Sequence, residues 1–586
     1  MSEPLSQTPQ PLDSQRFAMS RRSVLRLGVA AFAATSVGSL LAACGSGDDE
    51  KATSASTASS GSSGGSSSTA AASASSGSGS ASGTPSGGAS TAEPSDVVKG
   101  GELKWALSSD PPNQDPHIST GTAARAVKIA IYNGLVRYWT KGEVSPDLAT
   151  KWDVSTDGLT YTFTLVDTTF HDGTPFTADD VKASIERIQD PSVGATQARQ
   201  MKAVTSVEAS DPRTAVLTLS KPSAALLSVL ALPECSIISK KFLDGGGDPN
   251  KTMMGTGPFK FVSREPGVNV VVEKNDKFFR EGKPYLDKIT YLPYQNEDTR
   301  VAALKSGDVD IAEYIPWKDM ESIDKSNDLN LLTTNGSSFM YLIYNAKDKP
   351  FDDPKLRHAL GFAFDRDSIV EAAFFGRGEP ITGGLIPEDS WAYDASLKDY
   401  YSYDPDKAKQ LLTEAGYDPK SISITLMSTS QYGMHQSSAE VSQKNLQDLG
   451  INCKLDLFDW ATVVKKHTEN DYQFRVQGTS PDFPDPDFLT SFYSSAAVNQ
   501  SRDSVADDQI DQWLDQAREE TDQAQRKQVY NQIEERALKE VAPFTFLCWR
   551  DDGYGARKTV QGFEVLPRMS VFLSPNTLEQ VWLKKS

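Results

Sequence analysis

The chain is poor in the residues that build metal centres and disulfide frameworks. It has four cysteines and five histidines in 586 residues. Cys44, Cys235, Cys453 and Cys548 lie far apart, and His117, His171, His358, His435 and His467 are isolated from one another, so no metal-ligand spacing is present. With Cys44 assigned below to another role, the remaining three cysteines can form at most one bridge. Beyond the low-complexity segment there is no HExxH, no CxxC, no Walker A loop and no Gly-x-Ser-x-Gly elbow. These absences lower the expectation of an enzyme without removing it, because triads assembled in space leave no local signature. Positive charge is short as well: 59 Lys and Arg against 78 Asp and Glu give a net charge of −19. That balance argues against nucleic acid as a partner.

Long apolar runs are scarce, and the one near the N-terminus is diluted by Gly28, Thr35, Ser36, Gly38 and Ser39. It follows Arg21 and Arg22 and ends in Leu41-Ala42-Ala43-Cys44-Gly45. A paired arginine before a weakly apolar stretch is an export address of the twin-arginine kind, with a Sec route as the alternative because Val24 stands where Phe is usual. The string before Cys44 resembles a bacterial lipobox. It implies cleavage after residue 43, leaving Cys44 as a lipidated N-terminus whose acyl chains each gain about 0.8 kcal/mol per buried methylene. The competing reading is an uncleaved membrane-spanning helix, for which the stretch is barely long enough.

Residues 44–99 are almost wholly Ser, Gly, Ala and Thr, a composition that cannot bury enough apolar surface to offset its ordering entropy. As a Gly/Ser coil this tether spans roughly 40 Å r.m.s.. From residue 101 onward aromatics are spread evenly, and nearly five hundred residues exceed what one core holds, so two or three lobes are expected. Asp353-Pro354 and Asp404-Pro405 each pair an N-cap with an N1 proline ahead of a helical apolar period, and Gly416 closes the second helix. Further helical periods run through Ile510–Ala517 and Val529–Ala537, before Pro543. The alternation from Leu159 to Leu165 is a half-buried strand. The class is mixed α/β.

Several segments in order carry a family resemblance. They include Leu148-Ala149, Trp152, Asp157-Gly158-Leu159-Thr160-Tyr161-Thr162-Phe163 and Phe170-His171-Asp172-Gly173-Thr174-Pro175-Phe176-Thr177-Ala178-Asp179-Asp180-Val181. Gly255-Thr256-Gly257-Pro258-Phe259, Gly307-Asp308-Val309-Asp310, Arg357-His358-Ala359-Leu360 and Tyr403-Asp404-Pro405 follow. Together they resemble the peptide and nickel class of solute-binding proteins that serve ABC importers, family 5. The resemblance implies a type II periplasmic-binding-protein-like fold of the oligopeptide/dipeptide-binding kind, with two hinged halves and three lobes. Lobe one would hold about 101–133, 252–335 and 545–586, lobe two about 134–251 and lobe three about 336–544. It also implies a monomer outside the cytoplasm that closes on a peptide or other small solute, performs no chemistry, needs no cofactor and hands its cargo to ABC permease subunits. A nickel chelate or an oligosaccharide would suit the same fold. An extracytoplasmic hydrolase or a ligand-sensing lipoprotein are the alternatives from other classes.

Most of these motifs have a structural reading first. Asp172-Gly173 is a turn, Asp179 and Asp180 suit a helix N-terminus, and Gly255 and Gly257 allow a close backbone crossing. The ligand-contact segment is Gly478–Asp487. In peptide-binding relatives the first aspartate of this motif holds the ligand ammonium, so Asp482 inherits that role; its other reading is a helix cap, which is the reading adopted for Asp485 and Asp487. Thr479 departs from the tryptophan common in relatives and argues against a standard dipeptide. Trp391 and Tyr432 are candidate pocket aromatics, with core packing as the alternative, and Arg377 is a candidate for a peptide carboxylate. A calcium site at Asp482, Asp485 and Asp487 is excluded by the missing EF-hand spacing and glycine.

Overall fold

The computed structural model describes residues 96–118, 121–481, 483–496 and 505–585. The export segment, Cys44, nearly all of the tether, and Asp482 lie outside the described residues. Among those described, eleven strands form one mixed sheet. Glu102–Leu107 lies between Lys288–Pro293 and Ile311–Glu313, all parallel. Ser423–Thr429 lies in the same way between Asn452–Phe458 and Phe474–Thr479. Such strands are covered on both faces and read as continuous apolar runs; Leu103, Trp105, Ala106 and Leu107 are fully buried. The two parallel trios are linked by the long antiparallel pair Leu329–Tyr344 and Phe544–Arg557.

A separate antiparallel sheet orders Ala149–Val154, Thr160–Leu165, Thr214–Leu219 and Val204–Asp211. In its second strand Tyr161, Phe163 and Leu165 face the core and the threonines face outward, as the alternation requires. The helix Ala178–Gln189 packs beside it, opened by a capping box between Thr177 and Asp180. The predicted proline helices form at Pro354–Gly361 and Pro405–Glu414, capped by Asp353 and Asp404. The C-terminal pair forms at Asp508–Glu519 and Gln523–Arg536.

The chain passes close to itself where the Gly255–Pro258 segment crosses Ile131. A Cβ on Gly255 would stand 2.0 Å from the Ile131 carbonyl oxygen, and one on Gly257 2.5 Å from it. Only glycine permits that approach, which lets the Gly257 amide donate to the Ile131 oxygen at 2.8 Å. Beside the crossing, Arg280 reaches both Asp147 at 2.6 Å and Glu579 at 3.0 Å, and Arg137 reaches Glu579 at 2.9 Å. Cys235, Cys453 and Cys548 are buried free thiols. No helix among the described residues is long and apolar enough to cross a membrane.

Candidate functional site

Side chains immediately beyond the carboxyl ends of both parallel trios meet around one cavity of about 650 Å³. Open α/β sheets bind ligands at this kind of position, because loops converge there and strand backbones leave the ladder. Ser108 follows the first strand, Gln295 and Glu297 follow Lys288–Pro293, and Tyr314 follows Ile311–Glu313. From the other trio come Tyr432, Trp460 and Gly478. A second hollow of about 540 Å³ near Ile381, Gly383 and Arg568 lacks these strand ends.

The first wall is held by buried charge. Glu313 accepts the Ser108 amide at 2.9 Å and its hydroxyl at 2.7 Å, and burial raises the carboxyl pKa. Arg300, on the helix Glu297–Ser306, donates to the carbonyls of Tyr294 at 2.7 Å and Tyr314 at 2.8 Å, fixing that helix against two strand ends. Asn296 caps the same helix through the Thr299 amide. Glu297 therefore begins the helix at the cavity, its pKa raised by burial and by neighbouring Asp298 and Asp319 against the pull of Arg300 and Lys318.

The opposite wall is aromatic. Tyr432 precedes the helix Gly433–Asp448, and Trp460 opens the helix Trp460–Thr468 behind its Asp459 cap. Their ring centroids are 5.5 Å apart at 76°, and His435 stands 5.4 Å from Trp460 at 66°. His435 is buried; burial, then Arg550 and Arg475, push its pKa down to about 3, so it is neutral at physiological pH. Tyr432 feels burial first and then the Glu297 carboxylate, which faces it from the other wall. A Cβ on Gly478 would lie 2.7 Å from the Met340 sulfur and 3.3 Å from His435 Nε2, so glycine lets the strand end run past the imidazole. Arg550 closes the back, donating to the Tyr314 hydroxyl at 3.0 Å. Burial opposes its charge, but Asp552 and Tyr314 raise its pKa overall.

Of the residues singled out from sequence, Tyr432 lines this cavity. Thr479 is half-buried beside Gly478, on the opposite face of the same strand, level with Phe339. Asp482 and Cys44 lie outside the described residues. Trp391 packs elsewhere, 5.2 Å from the Arg526 guanidinium and edge-on to Tyr530 at 6.1 Å. Arg377 lies 3.8 Å from Asp324. Asp485 caps the turn Pro486–Leu489 and also pairs with Arg526 at 2.8 Å. Asp487 sits inside that turn, buried, where Arg518 and Thr490 hold it. His171 Nε2 donates to the Gly257 carbonyl, 3.1 Å away, while Asp172 binds Thr174, so the two form no pair. Glu297, His435, Trp460 and Arg550 were not anticipated, although Glu297 and Trp460 directly follow strands.

A model of bacterial extracellular solute-binding proteins, family 5 middle region, matches residues 143–500. The glutathione-binding protein GsiB of Escherichia coli O1:K1 / APEC is 30% identical over 492 residues, 80% of this chain and 92% of GsiB. Among solved structures, AgaA from A. tumefaciens R10 in complex with agropinic acid is 39% identical with a TM-score of 0.76, covering 83% of this chain and 99% of AgaA. DppA from Helicobacter pylori in complex with peptide STSA is 28% identical with a TM-score of 0.73, over 83% and 99% of the two chains. A cleft at the carboxyl ends of two linked strand sets, in a chain that shares sequence and fold with these binding proteins, belongs to a family 5 bacterial extracellular solute-binding protein that captures solute for an ABC importer.

Proposed function

We propose that the solute is a peptide or a peptide-like amino-acid derivative, bound by closure of the two halves over the cleft without chemical change to the ligand. The observation that carries this reading is the cavity reached by both parallel trios, with Glu297 on one wall, Arg550 at the back and an aromatic face opposite. That arrangement suits a small molecule bearing both charges. The glutathione-binding relative and the STSA complex of another relative support the same class. Ligand contacts form fully only when both walls engage, so binding shifts the population toward the closed form offered to the permease. Asp482 receives the ligand ammonium, and Thr479 leaves room where relatives carry tryptophan.

The lipobox-like string assigns the anchor to Cys44, with residues 45–99 as the tether and the lobes divided as the resemblance implies. The chain acts as a monomer at the outer face of the cytoplasmic membrane. Native mass spectrometry of the full chain, purified without denaturation, tests the ligand class. Adducts that fragment as peptides are expected, and Asp482→Asn should lose most of that cargo. A single sugar or metal-chelate mass would overturn the peptide assignment, and undiminished cargo on Asp482→Asn would remove the role given to that residue.

A further inference from the structure

The cleft cavity is lined by five charged side chains, Glu297, Asp298, Arg300, Lys318 and Arg550. Four of them are answered within the protein. Asp298 and Lys318 pair with each other at 2.6 Å. Arg300 donates to the Tyr294 and Tyr314 carbonyls, while Arg550 donates to the Tyr314 hydroxyl and has Asp552 as the carboxylate acting on its charge. Glu297 makes no hydrogen bond or ion pair among the described residues.

The helix beginning at Glu297 does not by itself account for this carboxylate. A helix N-terminus favours an acid, and Asp298 in the same turn supplies one with its side chain 72% exposed. Glu297 instead is half-buried at the cavity wall, and burial raises its pKa against the attraction of Arg300 and Lys318. A desolvated carboxylate without a partner is unfavourable until a cation reaches it.

The opposite wall supplies the rest of a cation site. Tyr432 is the aromatic that senses the Glu297 carboxylate across the cavity. Trp460 packs on it with ring centroids 5.5 Å apart and planes at 76°, and both rings are half-buried, so each keeps part of its π surface on the cavity. Aromatic faces attract cations, so a positive group placed here meets a carboxylate on one side and rings on the other. His435, the third aromatic of this wall, is neutral at physiological pH and adds no opposing charge.

Resting on the reading of this cleft as a peptide-type ligand site, we propose that the solute carries a basic side chain and that Glu297, Tyr432 and Trp460 form its subsite. Asp482 takes the ligand's α-ammonium under that reading, so the unmatched carboxylate of Glu297 answers a second positive charge. The Glu297 oxygens accept the N–H donors of the side chain, and the rings cover its apolar stem and its charge. The cargo class is then peptides that contain lysine or arginine.

The test uses full-chain wild type and Glu297→Gln, freed of cargo by unfolding and refolding. The probes carry lysine at each position of trialanine in turn, with norleucine, which keeps the side-chain stem without the ammonium, as the matched control. By isothermal titration, wild type should bind a lysine peptide about 10- to 100-fold tighter than its norleucine counterpart in at least one register. Glu297→Gln should abolish that preference while binding the norleucine peptide as wild type does. Ligand-free Glu297→Gln should melt within about 1 °C of wild type, because only a helix-end charge is lost. A larger fall would give the carboxylate a structural role and overturn the inference. Lysine peptides bound no tighter than norleucine peptides by wild type in every register overturn this inference and leave the peptide reading standing. Binding of none of these peptides overturns both. A preference that persists in Glu297→Gln also overturns the assignment, in favour of attraction by the net negative charge of the whole chain.

Discussion

Replacing Glu534 by glutamine should stabilise the protein at alkaline pH and leave its stability nearly unchanged in acid. Glu534 lies on the helix Gln523–Arg536, is 1% exposed and accepts the Ile386 amide at 2.9 Å. Gly384 packs so closely that a Cβ there would meet the carboxyl at 2.4 Å. Burial pushes the pKa from 4.5 up to about 8, against the backbone hydrogen bonds of Ile386 and Leu385. Between those values the folded state keeps a proton that the unfolded state releases. Stability from this group is complete below the unfolded pKa and is lost as pH rises through the folded one. The slope is about 1.4 kcal/mol per pH unit, or about 5 kcal/mol over the window. At about 2.1 cal/mol/K per residue, a folded region of some 490 residues has an unfolding entropy near 1 kcal/mol/K, so the slope corresponds to about 1.3 °C per pH unit. Differential scanning fluorimetry of both proteins from about pH 5 to pH 8.5 should show Glu534→Gln rising relative to wild type by about 4 °C in total. The depressed histidines, His117, His171 and His467 at about 4 and His435 at about 3, tilt both curves the opposite way and cancel in the difference. A difference that stays flat, or falls with pH, would refute the reasoning.

Gly257→Ala places a Cβ 2.5 Å from the Ile131 carbonyl, where two backbones must part, and should destabilise by about 3 kcal/mol or more. Thermal melting checks this, and an unchanged midpoint would show that the crossing is slack. Trp460→Ala removes the ring against which Tyr432 and His435 pack. It should weaken binding of the cargo peptide about 10-fold or more by isothermal titration, with a much smaller effect on melting because the ring is half-exposed. Unchanged affinity would take the aromatic wall out of the ligand site.

Local grammar was legible where its cause was local. Asp353-Pro354 and Asp404-Pro405 opened helices because an aspartate satisfies free amides and proline tolerates the first turn. The Thr160–Leu165 alternation set one face inward for the same kind of reason. Gly255 and Gly257 declared a close approach, though not that Ile131 was the neighbour. Trp391 shows the limit. As an isolated aromatic it was a fair pocket candidate, yet Arg526 and Tyr530 cover it, and both lie well over a hundred residues downstream.

The cleft was hidden because strand direction is a long-range property. Glu102 is paired with Lys288 and Trp105 with Ile311, and only those partners reveal that Ser108, Gln295 and Tyr314 leave their strands at the same end. Once two parallel trios are known, the residues after each strand become candidates by rule, and Glu297 and Trp460 follow from it. Arg475 is hidden for a different reason. Phe474 and Val476 alternate with Arg475 and Gln477, the pattern of a strand with one dry and one wet face. In the folded chain Arg475 is buried all the same, alongside Tyr341 and Tyr472, while Gln477 and Thr479 remain half-open toward the strand end. A charge that the local pattern assigns to solvent is kept instead in the interior, because this strand is covered on both faces, and only its long-range pairing with Leu329–Tyr344 reveals that cover.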